Sequence, residues 1–324
     1  MAYTSLHDHL DGGLRANTII EIANKKNIHL PSENEDELKK WFFENISTKK
    51  NQVFKKFELT ISVMQDEDSI ERITYESVQD LREDNVEYAE LRYAPLQHIS
   101  QDLMPQQVVD AVNRGLINAE IDFGGEFYSI LCAMRQNNDS DQVAELAINN
   151  INTKVIGFDL AGPEFMNPPS KHLKATNLIN NSGIGLTIHA GEAADLSYIE
   201  DAVFNCKTQR IGHGWQIIEG CQEIDNIYYP KSKIAEYIIA NQIPLEICIS
   251  SNAKSGASSV TFESHPAVKL LRSGFNVTLN SDNRLMAKTK LSNEFKIAKD
   301  KGLTDEEEIQ LIKNSVNARF TNLN

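Results

Sequence analysis

Two histidines, His7 and His9, stand two positions apart near the start of the chain, and residues of this type bind metal ions. Successive side chains of a strand point to opposite faces, so both imidazole rings would project to the same side. The spacing alone is as typical of an ordinary strand as of a metal site, because so short a motif recurs by chance. Other potential ligands farther along the chain must decide between the two interpretations.

Three later segments each place a histidine or a carboxylate at the end of an apolar, strand-like run. These groups are His189 with Glu192, His213 between two glycines, and Asp282 with Asn283. Neutral imidazole and carboxylate form the ligand set expected of a catalytic divalent metal ion that keeps one position open for water. The pattern therefore predicts a catalytic metal site.

The composition limits the partners that the protein can have. The chain has 324 residues, of which 41% are hydrophobic, and its formal net charge is −14. It is long enough for one large core, and we expect a single domain over 1–324. The negative charge argues against nucleic acid or an anionic membrane surface as a partner, because both attract clustered Lys and Arg. A small neutral substrate is favoured, and the oligomeric state stays open.

The start of the chain and its cysteines bear on location. Met1 leads almost directly into the histidine motif without a signal-peptide pattern, and no stretch approaches the apolar length of a membrane helix. The four cysteines are scattered without a Cys-x-x-Cys pair, which argues against a zinc knuckle and a disulfide scaffold. We expect a cytoplasmic protein with buried or inert thiols.

Eight strand-like runs alternate with helical stretches, an order that specifies a parallel sheet. The runs are 4–10, 87–94, 127–134, 155–160, 185–189, 210–212, 244–249 and 276–280. Eight such units predict an α/β fold, a (β/α)8 TIM barrel. The stretch from about 17 to 67 is too long for one barrel helix, so extra helices are expected after strand 1. The polar stretch 220–232 is expected to be a surface insertion.

In a TIM barrel the catalytic groups stand at the C-terminal ends of the strands. His7 and His9 end the first run, His189 ends the fifth, His213 follows the sixth and Asp282 follows the eighth. Chance placement of five potential ligands at one rim is hard to credit. The barrel and the metal site therefore support each other as predictions.

Seven motifs, spread over nearly the whole chain, resemble those of the adenosine deaminase family of metal-dependent amidohydrolases. They are His-Asp-His-Leu-Asp-Gly at 7–12, Glu-Leu-Arg-Tyr-Ala-Pro at 90–95, Asp-Leu-Ala-Gly-Pro-Glu at 159–164, His-Ala-Gly-Glu at 189–192, Ile-Gly-His-Gly at 211–214, Ser-Ser-Asn at 250–252 and Asn-Ser-Asp-Asn at 280–283. Segments 251–256 and 283–286 are similar to a bacterial branch of that family. The resemblance implies zinc-dependent hydrolytic deamination of adenosine to inosine and ammonia, a reaction of purine salvage. It implies 2′-deoxyadenosine as a second substrate.

The resemblance also implies a role for each matching residue. The ligands of one zinc ion would be His7, His9, His189 and Asp282. The ion would make an activated water available at neutral pH. His213 would hydrogen-bond this water and assist its deprotonation, and Asp282 would orient it toward C6 of the purine. Glu192 would donate a proton to N1, which requires a carboxyl pKa raised by burial.

Substrate contacts are implied by the same motifs. The substrate-binding residues would be His9, Asp11, Gly162 and Asn283. Asp11 would accept a hydrogen bond from the ribose 5′-hydroxyl and repel a 5′-phosphate, which favours a nucleoside, and the backbone N–H of Gly162 would meet N3. Asn283 departs from the commoner Asp of the family. An amide donates to N7 without prior protonation, so catalysis is compatible with Asn283 while the base preference stays open.

Several alternatives remain at this stage. The substrate could be another 6-aminopurine, namely adenine or an N6-modified adenosine nucleotide, or the protein could be a catalytically silent nucleoside-binding relative. Histidine and carboxylate ligands also accept manganese, iron or cobalt. Asp11 could instead cap a helix that begins near Arg15, His213 could pack beneath the rim, and Glu192 could be a solvated loop carboxylate. The histidines that match no motif are interpreted as surface or structural: His29, His98, His172 and His265.

Overall fold

The structure, a computed structural model, describes residues 2–43, 52–254 and 260–323, with only the backbone of residues 52–54. The strands are β1 (Tyr3–His9), β2 (Val86–Tyr93), β3 (Glu126–Met134), β4 (Val155–Ala161), β5 (Gly185–Ala190), β6 (Arg210–His213), β7 (Cys221–Ile224), β8 (Ile227–Pro230), β9 (Leu245–Ile247) and β10 (Val277–Leu279). Within these residues, eight strands form one parallel sheet in the order β1-β2-β3-β4-β5-β6-β9-β10. The predicted barrel strands are therefore confirmed.

The two edges of this sheet meet through Asp282, which follows β10. The backbone N–H of His9 donates to the Asp282 carbonyl at 2.8 Å, and the N–H of Asp282 donates to the His7 carbonyl at 3.0 Å. These bonds close the sheet into a barrel, because they join its first strand to the segment after its last. They also place Asp282 between the two histidines that sequence analysis selected.

Helices surround the barrel. They are α1 (Ala16–Lys26), α2 (Glu35–Phe43), α3 (Gln52–Ser62), α4 (Glu67–Glu83), α5 (Pro105–Phe123), α6 (Ser140–Asn149), α7 (Leu173–Asn180), α8 (Leu196–Glu200), α9 (Lys233–Asn241), α10 (Ile249–Lys254), α11 (Ala267–Arg272), α12 (Arg284–Ala287), α13 (Leu291–Asp300) and α14 (Asp305–Asn317). The extra helices expected after strand 1 are present as α1, α2 and α3, and α4 then leads into β2.

Helix α4 illustrates how the sequence specifies these helices. Ile70, Ile73 and Val78 recur at helical spacing and are buried. Asp66 precedes the helix, and its side chain accepts a hydrogen bond from the backbone N–H of Ser69 at 2.9 Å. This cap satisfies one of the free N–H groups at the helix start. The helix then packs its apolar face against β2 and α5.

Most strand bounds shift by one residue from the sequence prediction, and two regions differ in a way that has a structural reason. The strand expected over 244–249 ends at Ile247, because α10 begins at Ile249 and draws the next residues into helical hydrogen bonding. The insertion expected at 220–232 forms an antiparallel hairpin of β7 and β8. Its two turn residues, Asp225 and Asn226, both have a left-handed backbone, a conformation that Asp and Asn tolerate and that suits a two-residue hairpin turn.

Two findings bear on the expectations from composition. Among residues 2–43, 52–254 and 260–323, none of the helices combines the length and apolar character needed to cross a membrane. The four cysteines are free; Cys132, Cys206 and Cys248 are buried and Cys221 is partly buried. Burial raises the pKa of each of these thiols, which keeps them protonated and weakly reactive.

Candidate active site

The C-terminal ends of the barrel strands border a cavity of about 610 Å³. Cavities that bind small molecules typically measure about 300–1,000 Å³. The residues predicted for the site that line this cavity are His9, Asp11, Gly162, His189, Glu192, His213, Asp282 and Asn283. The remaining one, His7, is fully buried, and its ring centre lies 4.7 Å from that of His189. The structure therefore brings the predicted site residues together.

Four side chains converge at the base of this cavity, those of His7, His9, His189 and Asp282. Nε2 of His9 lies 3.3 Å from Nε2 of His189. Oδ1 of Asp282 lies 3.4 Å from Nε2 of both His7 and His9. In a tetrahedral site with metal–nitrogen bonds of about 2.0–2.1 Å, neighbouring ligand atoms lie about 3.3 Å apart. The observed spacings fit a single divalent ion.

Two of these ligand atoms, Nε2 of His7 and Oδ1 of Asp282, are buried and have no hydrogen-bond partner among the described residues. Buried polar atoms are nearly always partnered, so this pair fits a site for a cation. Burial lowers the pKa of His7 and lowers that of His189 to about 3, which keeps both rings neutral, as metal ligands must be. Burial opposes the charge of Asp282, but the histidines around it lower its carboxyl pKa well below the usual value.

The other ring nitrogen of two of these histidines is held by a buried carboxylate. Nδ1 of His7 lies 2.9 Å from Oε2 of Glu246, and Nδ1 of His189 lies 3.0 Å from Oδ2 of Asp159. Arg92 joins the two carboxylates, since its guanidinium donates to Asp159 at 3.1 Å and to Glu246 at 2.9 Å. A carboxylate at Nδ1 keeps the ring proton there and leaves Nε2 free to bind a metal.

Arg210 extends this buried network deeper into the barrel. It donates to Oε2 of Glu90 at 2.5 Å, and its Nε lies 2.7 Å from Oε1 of Glu246. The guanidinium also stacks over the Phe320 ring at 3.5 Å. Burial alone would raise the pKa of Glu246, but the charges of Arg92 and Arg210 lower it. The carboxylate that orients His7 is therefore held in its charged form by two arginines.

His213 and Asp282 share a backbone conformation that is rare outside glycine. The angle φ is 62° at His213 and 58° at Asp282. Such strain persists only where the surroundings enforce it, and it is frequent at active sites. At Asp282 the backbone hydrogen bonds that close the barrel enforce this conformation. The Ser251 hydroxyl also holds the side chain by donating to its Oδ2 at 2.5 Å. Both strained residues line the cavity.

Glu192 lies beside His213, with 3.8 Å between its Oε2 and Nε2 of the ring. Burial raises the pKa of the Glu192 carboxyl, and any positive charge on the nearby His213 ring would oppose this rise. Glu164 holds the loop that carries Glu192, because its Oε2 accepts hydrogen bonds from the backbone N–H of Ala193 at 2.7 Å and of Ala194 at 2.5 Å. The arrangement presents a carboxyl group that can hold a proton at the cavity wall.

Asp11 lines another part of the cavity. It lies in the short turn Leu10–Gly12, and α1 has Arg15 as its N-cap residue, so the helix-capping alternative for Asp11 is wrong. Its Oδ1 is buried without a hydrogen-bond partner among the described residues. His98, which sequence analysis treated as surface or structural, is buried with its Nε2 3.9 Å from Oδ2 of Asp11. The free oxygen is suited to a hydroxyl donor of a ligand.

Gly162 and Asn283 line the cavity as well. Gly162 has a φ of 99°, and a Cβ atom there would come within 2.6 Å of the Gln136 side chain, so a larger residue would be strained. Asn283 packs so closely on Gly12 that a Cβ at Gly12 would lie 2.1 Å from its Oδ1. That oxygen has no hydrogen-bond partner among the described residues. Gly162 is therefore a position at which glycine alone avoids both backbone strain and a clash with Gln136.

Two exposed residues of the cavity lining, Glu58 of α3 and Phe165 in the loop after β4, mark its mouth, whereas Phe57 of α3 is partly buried, with its ring centre 6.3 Å from that of His9. Phe57 also packs against the apolar core. Phe165 is 55% exposed. Within the part of the chain that the structure describes, no Lys or Arg lines the cavity. The site therefore offers no described cation to a phosphate group.

Sequence reasoning selected the groups that face the cavity but assigned no role to the groups behind them. The missed residues are Arg92, Asp159, Glu164, Glu246, Ser251, Asn252 and His265. All of these residues except Glu246 and His265 belong to the motifs quoted for the family resemblance. Their presence in those motifs could have indicated that they have a role in the site. His265, interpreted as surface or structural, is buried and hydrogen-bonds Asn252, which in turn contacts His213.

A barrel with this ligand cluster at its C-terminal rim is suited to hydrolysis assisted by a divalent metal ion. The family model described as adenosine deaminase matches residues 3–324. Adenosine deaminase 1 of Streptomyces coelicolor is 40% identical over 297 residues, which are 90% of this chain and 75% of that protein. Adenosine deaminase of Mycobacterium marinum is 40% identical over 296 residues, 89% of this chain and 82% of that protein. The chain belongs to the adenosine deaminase family.

Solved structures agree with this assignment. The crystal structure of adenine deaminase from Arthrobacter aurescens superposes with a TM-score of 0.85 at 25% identity, covering 98% of this chain and 94% of that one. The N6-methyl-AMP deaminase of Arabidopsis thaliana superposes with a TM-score of 0.81 at 25% identity, covering 99% and 92%. The TIM-barrel fold is thereby confirmed, and these two similar structures are named for two different aminopurine substrates.

Proposed function

We propose that this protein uses one bound zinc ion to deaminate adenosine and 2′-deoxyadenosine by hydrolysis, releasing ammonia and, from adenosine, inosine. The observation that carries the proposal is the convergence of four ligand atoms with Glu192 and His213 on one wall of the cavity. The names of curated relatives at 40% identity support the same activity.

Each site residue has a chemical task in this reaction. When bound, the ion would lower the pKa of a water molecule and so supply the nucleophile at neutral pH. Asp282 and His213 orient that water beside C6 of the purine. Glu192 donates a proton to N1, a role that the raised pKa of its buried carboxyl favours. Protonated N1 lets the ring accept the water oxygen at C6. Of the two protons that the water gives up, one returns to the Glu192 carboxylate and the other goes to the amino group, which leaves as ammonia while C6 becomes a carbonyl.

Three residues orient the substrate. Asp11 accepts a hydrogen bond from the ribose 5′-hydroxyl through its free Oδ1, the backbone of Gly162 approaches N3, and the amide of Asn283 donates to N7. His9 lies at the border of the metal and substrate regions, since its Nδ1 is 3.8 Å from Oδ1 of Asp11. The Glu58 carboxylate at the mouth and the lack of a described Lys or Arg in the cavity wall favour a neutral nucleoside over a nucleotide.

The second candidate is a deaminase of adenine or of an N6-modified adenosine nucleotide. Structural relatives named for those substrates, at 25% identity, favour it. Asp11 separates the candidates, because adenine has no hydroxyl to donate to it and a 5′-phosphate would face its negative charge.

An ultraviolet assay with adenosine, 2′-deoxyadenosine, adenine and AMP tests this proposal. We expect adenosine to have the highest kcat/KM. Asp11→Asn should lower kcat/KM for adenosine by about tenfold, the loss of one charge-assisted hydrogen bond, and leave any turnover of adenine unchanged. Preference for adenine or AMP, or an adenosine rate that is insensitive to Asp11→Asn, would overturn the substrate assignment.

The same proposal includes one domain over residues 1–324, zinc as the metal and a cytoplasmic location. The four free cysteines support the location, because cytoplasmic proteins keep their thiols reduced. Elemental analysis of the purified protein should find about one zinc per chain, and a strong chelator should abolish activity. Full activity without stoichiometric metal would overturn the mechanism.

A further inference from the structure

A chain of three hydrogen bonds ends at the ring nitrogen of His213 that faces away from the cavity. The backbone N–H of Ala267 donates to Nδ1 of His265 at 3.3 Å. Nε2 of His265 lies 3.2 Å from Oδ1 of Asn252. Nδ2 of Asn252 lies 3.0 Å from Nδ1 of His213. His265, Asn252 and His213 are 5%, 0% and 1% exposed, so this chain is shielded from solvent.

The first donor sets the direction of every bond in the chain. A backbone N–H can only donate, so Nδ1 of His265 accepts and carries no proton. Burial lowers the pKa of His265 to about 3, which keeps the ring neutral with its single proton on Nε2. That proton is donated to Oδ1 of Asn252. The amide therefore turns its NH2 group toward His213 and donates to Nδ1.

The consequence for His213 is a defined tautomer. Because Nδ1 accepts a hydrogen bond, the proton of the neutral ring lies on Nε2, the nitrogen that faces Glu192 at 3.8 Å. A ring in this form donates a hydrogen bond into the cavity. It has no lone pair at Nε2 with which to take a proton from a water or to bind a metal ion.

The two histidines with carboxylates at Nδ1 show the opposite arrangement. Glu246 and Asp159 accept from Nδ1 of His7 and of His189, so in these rings the proton lies on Nδ1 and Nε2 is free. The ring nitrogens of His7, His189 and His213 lie within 4.8 Å of one another, so proximity alone does not distinguish metal ligands from other groups. The hydrogen-bond partner at Nδ1 distinguishes them, because it decides whether Nε2 is free to bind a metal ion.

We propose that Asn252 and His265 are positioning residues that hold the neutral His213 ring in its Nε2–H tautomer. His213 then orients the attacking water by donating a hydrogen bond to its oxygen and does not serve as the base that removes its proton. This replaces the expectation that His213 assists deprotonation. The role toward water rests on the proposed function, whereas the tautomer itself does not.

Nitrogen-15 NMR of zinc-loaded protein labelled at histidine tests the tautomer directly. The spectrum is recorded above the pH range in which imidazole ordinarily titrates, and the His213→Gln spectrum identifies the His213 signals. We expect a proton on Nε2 and none on Nδ1. A proton on Nδ1, alone or together with one on Nε2, overturns the proposal. An enzyme that fails to deaminate adenosine would overturn the proposed function and leave this result readable.

Asn252→Asp reverses the hydrogen bond by design. A carboxylate can only accept, so the proton of His213 should move to Nδ1 while the zinc content stays the same. A variant that retains zinc and keeps Nδ1 of His213 bare contradicts the control of the tautomer by residue 252.

His265 offers a matched pair of variants. His265→Gln keeps an amide that can donate to Asn252, whereas His265→Phe keeps the ring shape without a donor. We expect kcat to fall about five- to tenfold in His265→Phe with KM nearly unchanged, a factor that corresponds to one ordinary hydrogen bond. His265→Gln should keep a kcat close to that of the parent protein. If the ring served only packing, His265→Phe would retain more kcat than His265→Gln, and the proposal would be wrong.

Discussion

The metal end of the cavity is formed by His7, His9, His189 and Asp282, and its mouth is marked by Glu58 and Phe165. The two regions lie on different kinds of structural element. Three ligands of the metal end lie on strands β1 and β5, and the fourth, Asp282, makes the backbone hydrogen bonds that close the barrel. All four are at most 9% exposed. The mouth stands on α3 and a loop, and Phe165 is 55% exposed.

The two regions also differ in how their side chains are held. Carboxylates and arginines behind the metal end fix its ring orientations through buried hydrogen bonds. Substitutions in a buried, charged network leave uncompensated groups, whereas exposed apolar substitutions change little. We therefore expect the effect of a substitution to fall steeply from the metal end toward the mouth.

The largest effect is expected for Glu192→Gln. It removes the proton donor but keeps the size of the side chain, and kcat should fall by about 10²–10⁴-fold, the usual contribution of general acid catalysis. Zinc content should be unchanged, because Glu192 is not a proposed ligand. Steady-state kinetics and elemental analysis check both expectations. A kcat near that of the parent would mean that another group protonates N1.

Asp159→Asn should weaken metal binding by about 10–100-fold, the usual effect of losing a partner of a ligating histidine. The amide still accepts from His189 but loses its charge toward Arg92. Competition with a chelator of known affinity measures the change. Asp84→Asn is the matched control, because this buried carboxylate binds Ser292 and does not line the cavity. Equal metal affinity in both variants would show that the buried network does not tune the site.

Asn283→Asp should introduce a new pH dependence. A carboxyl group donates to N7 only when protonated, so kcat/KM should fall by about tenfold for each pH unit above the pKa of that carboxyl, whereas the parent amide does not titrate. The measurement is kcat/KM for adenosine against pH in both proteins. Identical profiles would contradict the contact between residue 283 and N7.

Glu164→Gln should lower kcat by about tenfold, since the loop that carries Glu192 loses charge-assisted hydrogen bonds. His189 precedes this loop, but it lies on β5 and is held by Asp159, so zinc affinity should stay the same. Kinetics and metal titration of the same preparation distinguish the two effects. If zinc affinity falls together with kcat, Glu164 supports the whole site and not only the Glu192 loop.

The smallest effect is expected at the mouth. Phe165→Ala should change KM for adenosine by about twofold to threefold and leave kcat unchanged, because an exposed side chain contributes little free energy. A tenfold loss of kcat would show that the mouth takes part in catalysis and would remove the contrast between the two regions.

The groups that face the cavity could be predicted from the sequence because each occupies a recognisable position in a short motif. His7 and His9 follow strand periodicity, and His189 and His213 lie at predicted strand ends. The partners behind them could not be assigned in this way. Glu246 and His265 are single polar residues outside the quoted motifs, and their neighbours come from distant strands and helices.

The sequence by itself determined the βα order, the rim of the barrel on which the chemistry stands and the residue types available there, because strand periodicity and motif spacing are local properties. Only the tertiary structure decided which ring nitrogen of His7, His189 and His213 carries the proton. The position of the proton depends on the partner at Nδ1. Carboxylates contact Nδ1 of His7 and His189, and the amide of Asn252 contacts Nδ1 of His213. Barrel closure brings these partners together from positions far apart in the chain.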